Sequence, residues 1–203
     1  MTGGAAPLRA LLAETRAAVA ADPALAGFTG PLDWEGLPFR APEPRTLPAV
    51  ADLAAYPACA GAGTLPLCRA ILAAAPHLHW QQSYTERQVG AEFLAGYGWF
   101  NLVSPEGPFL TEGIRISFGT WRGGLTYPRH WHAPEEIYLV VAGAATFVTD
   151  GMADALLRAG GTRHHPSNIP HSARMDHGPL LAMAIWKGDR LLDISELAPE
   201  DAR

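Results

Sequence analysis

Residues 124–143, G-L-T-Y-P-R-H-W-H-A-P-E-E-I-Y-L-V-V-A-G, constrain this chain more than any other stretch. They hold His130, His132 and Glu136 in one short segment, and His171 follows in H-H-P-S-N-I-P-H. Alternate side chains of an extended strand share a face. His130, His132, Glu136 and Tyr138 are all even-numbered, as are the apolar Val140 and Ala142. A register that survives the A-P-E interruption points all of them the same way. Imidazoles and a carboxylate on one face suit a divalent transition metal such as zinc, iron or manganese. An H-x-H pair alone is equally a pair of surface histidines beside a turn. The glutamate four residues on, the flanking glycines and the later histidine are what favour a metal.

The surrounding sequence reads as a holder for that segment. From Trp99 onward, short apolar runs such as I-R-I-S-F-G-T-W, E-I-Y-L-V-V and L-L-A-M-A-I-W alternate with Gly and Pro turns. This texture predicts an antiparallel barrel or sandwich, with a hairpin at Asp150–Gly151. The first half reads differently. Leu8, Leu11, Leu12, Thr15 and Val19 recur at helical spacing over residues 7–22, ended by Asp22–Pro23. Residues 27–48 are proline-rich and read as an irregular wrap. Two more helices are expected over 49–56 and 64–75, the second with Leu67, Ile71 and Leu72 on one face. Thr85 and Gln88 make a capping-box pattern opening a helix over about residues 86–95. The expectation is a helical and irregular extension, residues 1–98, packed on a mainly β barrel, residues 99–203. The mouth of a small barrel can hold one small ligand.

Length and charge narrow the partners. At 203 residues this is one domain, or one domain with an extension. Fifteen basic against twenty acidic residues give a net charge of -5 and no basic patch, so no nucleic acid is expected. Arg9, Glu14 and Arg16 break the N-terminal apolar run, and no run of 18 apolar residues exists. Neither a signal peptide nor a membrane span is expected, and the cytoplasm is the default location. Cys59 and Cys68 read as reduced thiols. The N-terminal helices also offer a surface for a homodimer.

Gly124, His130, His132, Glu136 and Gly143 match every position of the first cupin motif. Gly160, Pro166 and His171 match the second, with Asn168 in place of its middle glycine and Met175 in place of its final asparagine. Asparagine tolerates left-handed backbone angles, so the first change is mild. Together with the later Trp186–Asp189 stretch, these segments resemble the cupin-type dimethylsulfoniopropionate lyases, in particular the Q-type enzymes of marine bacteria. The resemblance is strong over about residues 80–193 and weak over about the first 75. It implies a cupin barrel, the double-stranded β-helix or jelly roll. It also implies one divalent ion on His130, His132, Glu136 and His171, and catalytic tyrosines at Tyr127 and Tyr138. The implied reaction is the β-elimination of a small sulfonium carboxylate to dimethyl sulfide and acrylate.

That chemistry sets further expectations. A phenol titrates near ~10 in water, so a tyrosine base needs a cation beside it. Tyr138 is favoured as the base or a labile metal ligand, with Tyr127 second. Aromatic faces attract cations, and Trp80, Tyr84 and Trp186 are expected around the sulfonium. Trp80 and Tyr84, four apart, would share a helical face over the barrel; Trp121 reads as core. His164 and His165 are adjacent, so at most one faces inward. His77, His79 and His177 read as surface or structural residues. The same ligand set would serve another metal-dependent cupin enzyme, such as an iron dioxygenase, or a non-catalytic cupin that binds a small ligand.

Overall fold

Strand β5 (Glu135–Thr149) begins at the metal motif and belongs to two sheets, in a computed structural model that describes residues 4–199. Its first half pairs with β7 (Thr162–His165) and β9 (Leu180–Lys187). Its second half pairs with β6 (Ala155–Arg158) and β8 (His171–Arg174). The switch falls at Gly143, whose φ is +81°, just past a bulge between Val140 and Ala142. A Cβ there would lie 1.7 Å from the Pro179 carbonyl oxygen, so the strand crosses at glycine.

The remaining strands are β1 (Tyr97–Ser104), β2 (Phe109–Leu110), β3 (Ile114–Trp121), β4 (Thr126–Trp131) and β10 (Glu196–Leu197). The path runs β10-β4-β8-β5-β9-β3-β1-β2 and is antiparallel except between β1 and β2. This mainly β, two-sheet roll is the cupin architecture that the motifs imply. Asp150–Gly151 forms the expected turn after β5, with Gly151 at φ +75°.

Strand β9 reads L-L-A-M-A-I-W and is buried from Leu180 through Trp186. Leu181, Met183 and Ile185 face outward and join Phe100, Ile116 and Phe118 in one core. Helices α1 (Ala5–Ala21) and α3 (Leu65–Ala74) add Leu8, Leu11, Leu67 and Ile71 to that same core. Burying each such aliphatic side chain stabilises by roughly 1.5–3 kcal/mol. A strand covered on both faces needs a continuous apolar run rather than strict alternation. On the inward face, Ser117, Gly119 and Ala184 are small and line a cavity. The N-terminal half is thus a cover on the outside of this sheet, and the inside is left for a site.

Some local expectations change. Asp22 ends α1 and also begins the next helix: its carboxylate accepts the N–H groups of Ala24 and Leu25, at 2.8 and 3.0 Å. It caps α2 (Pro23–Thr29), with proline in the first turn, so the irregular wrap starts at Gly30. The segment expected as a helix over 49–56 is a 3-10 helix, Pro48–Cys59. The capping box forms, with Gln88 accepting the Thr85 N–H at 2.9 Å. The helix it opens is two short ones, α4 (Glu86–Val89) and α5 (Ala91–Ala95), because Gly90 sits at φ +82°. No helix joins Trp80 to Tyr84: Gln81 bridges Trp99 and His79 bridges Arg45 in extended backbone. The outer ends of the expected divisions at 1–98 and 99–203 lie outside the described residues.

Candidate metal centre

Tyr127 and His130 both face inward although their numbers differ in parity. The β4–β8 register shifts between them, at Pro128, which brings no N–H to the ladder. Past the shift, His130 stands directly opposite His171, with ring centroids 4.3 Å apart. His132 follows the end of β4 and lies 4.9 Å from the His171 ring.

The three imidazoles are oriented by one device. Nδ1 of His130, His132 and His171 sits 2.7, 2.8 and 2.9 Å from the carbonyl oxygens of Pro128, Pro134 and Ile169. A carbonyl only accepts, so each Nδ1 carries a proton and, in the neutral ring, each Nε2 presents a lone pair. The Nε2 atoms of His132 and His171 lie 3.2 and 3.3 Å from Glu136 Oε2. Buried lone pairs aimed at a carboxylate oxygen repel it unless a positive charge sits among them. The donor set therefore fits a divalent cation, with second partners already in place on every histidine. The ligating atoms of His130, His132 and His171 lie within 4.8 Å of one another, as do those of Glu136, His165 and His171.

Electrostatics agrees with that fit. Burial pushes the Glu136 carboxyl up, but the positive charge that His132 and His171 bring when protonated outweighs it and holds the group well below the usual carboxylate range; a bound cation would take over that role. Burial, then the neighbouring His171, pulls His130 well below an ordinary histidine. An ionised carboxylate and neutral imidazoles are the forms that bind metal.

Glu136 occupies the middle of a row across the sheet. His165 on β7 pairs with it from one side and Trp186 on β9 from the other; Arg115 on β3 pairs with Trp186. Directly opposite residues share a face, so the whole row points inward. Trp186 donates its indole N–H to Glu136 Oε1 at 2.6 Å. One face of its ring meets the Arg115 guanidinium at 4.3 Å, and its centroid lies 4.1 Å from that of His132. Arg115 also covers Trp99 at 4.6 Å and donates to Asn101 Oδ1 and the Leu191 carbonyl, both at 3.0 Å.

Tyr138 lies two residues past Glu136 on the same face and lines the same cavity. Burial, then the Glu136 charge, pushes its phenol well above the ordinary tyrosine value. Burial, then Tyr84 and Tyr97, does the same to Tyr127. The Tyr84 hydroxyl donates to Tyr127 at 3.4 Å, and the Tyr127 ring centroid lies 4.2 Å from that of His130. Phe93, Tyr97 and Trp121 complete the aromatic cluster around it.

The structure brings together His130, His132, Glu136, His171, Tyr127, Tyr138, Tyr84 and Trp186. It does not bring Trp80. That side chain is fully buried in the outer core, 4.7 Å from the Phe100 ring, with its indole N–H donated to the Ala75 carbonyl at 3.2 Å. The extended backbone at residues 79–81 turns it away from Tyr84. Trp121, read as core, is buried in the inner cluster and also lines the cavity, its ring centroid 5.2 Å from that of Tyr127. Ala142 leaves the expected even-numbered face because the bulge moves it into the outer core, while Val140 stays inside. Of the adjacent histidines, His165 faces inward and His164 is half-buried beside Glu135. Arg115 and Tyr97 were missed. Arg115 sits between Ile114 and Ile116 in I-R-I-S-F, and alternation with those isoleucines was a usable signal. Tyr97 precedes the expected start of the barrel.

A family model for dimethylsulfoniopropionate lyase matches residues 35–182. The chain belongs to this family. It is 32% identical over 179 residues to dimethylsulfoniopropionate lyase DddQ of Ruegeria pomeroyi, covering 88% of each. The crystal structure of the DMSP lyase DddQ from Ruegeria pomeroyi DSS-3 superposes with a TM-score of 0.88 at 30% identity, covering 98% of this chain and 100% of that one. A structure from a study of the DMSP lyases RdDddP and RnDddQII gives 0.91 at 39%, covering 97% and 100%. The likeness to lyase structures thus includes the N-terminal cover, where the motifs alone gave little.

Proposed function

We propose that this chain is a metal-dependent dimethylsulfoniopropionate lyase, a carbon–sulfur lyase releasing dimethyl sulfide and acrylate. Membership of the family supports the reaction. The observation that carries the mechanism is the convergence of the His132 and His171 Nε2 atoms on Glu136, with His130 grouped beside them and the Tyr138 phenol on the same cavity.

A zinc, iron or manganese ion on His130, His132, Glu136 and His171 would supply Lewis acidity to a carboxylate oxygen and lower the Tyr138 phenol from the height at which burial leaves it. The chain's own groups do the rest. The Tyr138 oxygen takes the proton from the carbon next to the carboxylate. The freed C–H pair becomes the new C=C bond, and the C–S pair leaves on sulfur as neutral dimethyl sulfide. Tyr127, hydrogen-bonded to Tyr84, is the second candidate for the base. Arg115 puts a positive charge at the Trp186 end of the cavity and disfavours the sulfonium there. The faces of Tyr84, Tyr97 and Tyr127 are left to receive it. Trp186, covered by Arg115 and His132, acts through Glu136 rather than on the cation.

No helix among the described residues is long and apolar enough to cross a membrane. The free thiols of Cys59 and Cys68 accord with a cytoplasmic enzyme. The test is headspace detection of dimethyl sulfide from purified protein given the substrate, before chelation, after it, and after adding back zinc, iron or manganese. Gas lost on chelation and restored by metal is expected. A chelated protein with its full rate removes the metal, and no gas from any loaded form removes the lyase.

A further inference from the structure

His165 belongs to the same inward row as Glu136, yet its hydrogen bonding is the reverse of the three other histidines. Its Nδ1 faces Thr149 Oγ1 at 3.0 Å. The same oxygen receives two N–H groups of Arg163, from Nε and from an Nη, both at 3.2 Å. An arginine only donates, and a hydroxyl oxygen has two lone pairs and one proton. Arg163 donates to that oxygen from one side, which leaves the Thr149 proton free to be given to His165 Nδ1. With that nitrogen accepting, the imidazole proton sits on Nε2. The other three histidines face carbonyl oxygens through Nδ1 and keep Nε2 bare.

Nε2 of His165 is buried and has no hydrogen-bond partner among the described residues. The ring stacks on His171 at 4.1 Å, and His165 lines a pocket with Tyr127, His130, Tyr138 and His171. A buried N–H without an acceptor costs free energy unless something entering the site supplies one. Nitrogen that already holds a proton offers no lone pair, so spacing alone misplaces His165 among metal ligands. A sulfonium group has no lone pair suited to this N–H, whereas a carboxylate oxygen accepts it well.

We propose that His165 is a substrate-binding residue that donates its Nε2–H to the carboxylate of the substrate, and is not a metal ligand. The identity of that carboxylate rests on the lyase reading; the tautomer does not. The arrangement assigns the two ends of the ligand. Its anionic end lies by His165, Glu136 and His171, and its cationic end lies toward the tyrosine cluster.

The experiment uses full-length protein labelled with 15N-histidine and long-range 1H–15N correlation, on metal-free and zinc-loaded samples. His165 should show a protonated Nε2 and an unprotonated Nδ1, opposite to His130, His132 and His171. Zinc should move the Nε2 signals of the three ligands and leave His165 Nε2 protonated. Acrylate is then titrated into zinc-loaded wild type, His165→Leu and His165→Gln. The leucine variant should bind acrylate about tenfold or more weakly at unchanged zinc content, with the glutamine variant recovering part of the loss. A His165 protonated at Nδ1, or an Nε2 signal that follows zinc as His171 does, overturns the proposal without any variant. Equal acrylate affinity in wild type and His165→Leu overturns the carboxylate contact. A wild type that shows the stated tautomer and holds acrylate through His165, but releases no dimethyl sulfide, supports the donor and refutes the lyase reading alone.

Discussion

The indole N–H of Trp186 reaches Glu136 Oε1 across 2.6 Å, from the directly opposite position on the neighbouring strand. Trp186→Phe keeps a smaller aromatic ring near Arg115 and His132 and removes this donor. Partners of ligating groups typically change metal affinity by about 10–100-fold, so zinc binding should weaken by that order in a competition titration. KM at saturating zinc should change little, because the ring faces are covered. A raised KM with unchanged zinc affinity would return Trp186 to the sulfonium pocket.

Tyr138→Phe should retain metal and fold while turnover drops about 100–10,000-fold, the usual cost of removing a general base. Tyr127→Phe should fall less, since its hydroxyl is held by Tyr84. In wild type the rate should rise with pH as the phenol ionises, with an apparent pKa below about 10 when metal is bound. The Tyr138 variant should lose that rise. Near-normal turnover in both variants with metal retained would exclude a tyrosine base.

The candidate ligand cluster was legible because short spacings and local strand parity survive folding. His130, His132 and Glu136 needed only local sequence, and Asn168 takes φ +60° where the motif has glycine. What failed was whatever depended on non-local packing. Trp80 looked like a neighbour of Tyr84 on a helix; bridges from the flanking His79 and Gln81 to the distant Arg45 and Trp99 made the backbone extended and buried it elsewhere. Ala142 was misplaced by one bulge, which shifts parity for every residue beyond it. Tyr127 stays inside for the same kind of reason, through the irregularity at Pro128. Arg115 lies far from Trp186 in sequence, and only the β3–β9 register brings the two together.

The metal-free protein should be acid-sensitive. Burial holds His130 and His165 well below the ordinary histidine range. Below about pH 6.5 the unfolded chain takes up protons that the folded one refuses. The stability these residues contribute is therefore present above that pH and lost as pH falls toward their folded values. Each histidine removes up to about 1.4 kcal/mol per pH unit in that window. The urea midpoint of metal-free protein should be lower at pH 5.5 than at 7.5, and His165→Gln should reduce the difference. A pH-independent midpoint would mean these imidazoles are solvated in the metal-free state.

Gly124 and Gly143 bound the metal motif and both have positive φ, +85° and +81°. Their surroundings differ. A Cβ at Gly124 would meet nothing within 4 Å, whereas one at Gly143 would lie 1.7 Å from the Pro179 oxygen. Gly124→Ala should cost only the backbone penalty, about 1–2 kcal/mol. Gly143→Ala adds a clash that no rotamer relieves, at the point where β5 changes sheets and Ala144 donates to that same oxygen at 3.1 Å. Its cost should exceed about 4 kcal/mol, the range of exceptional single substitutions. Thermal midpoints of the two zinc-loaded variants would separate the effects, with low soluble yield of the second counting as the larger loss. Equal midpoints would show that the strand shifts freely past Pro179 and that backbone angle alone requires glycine at this position.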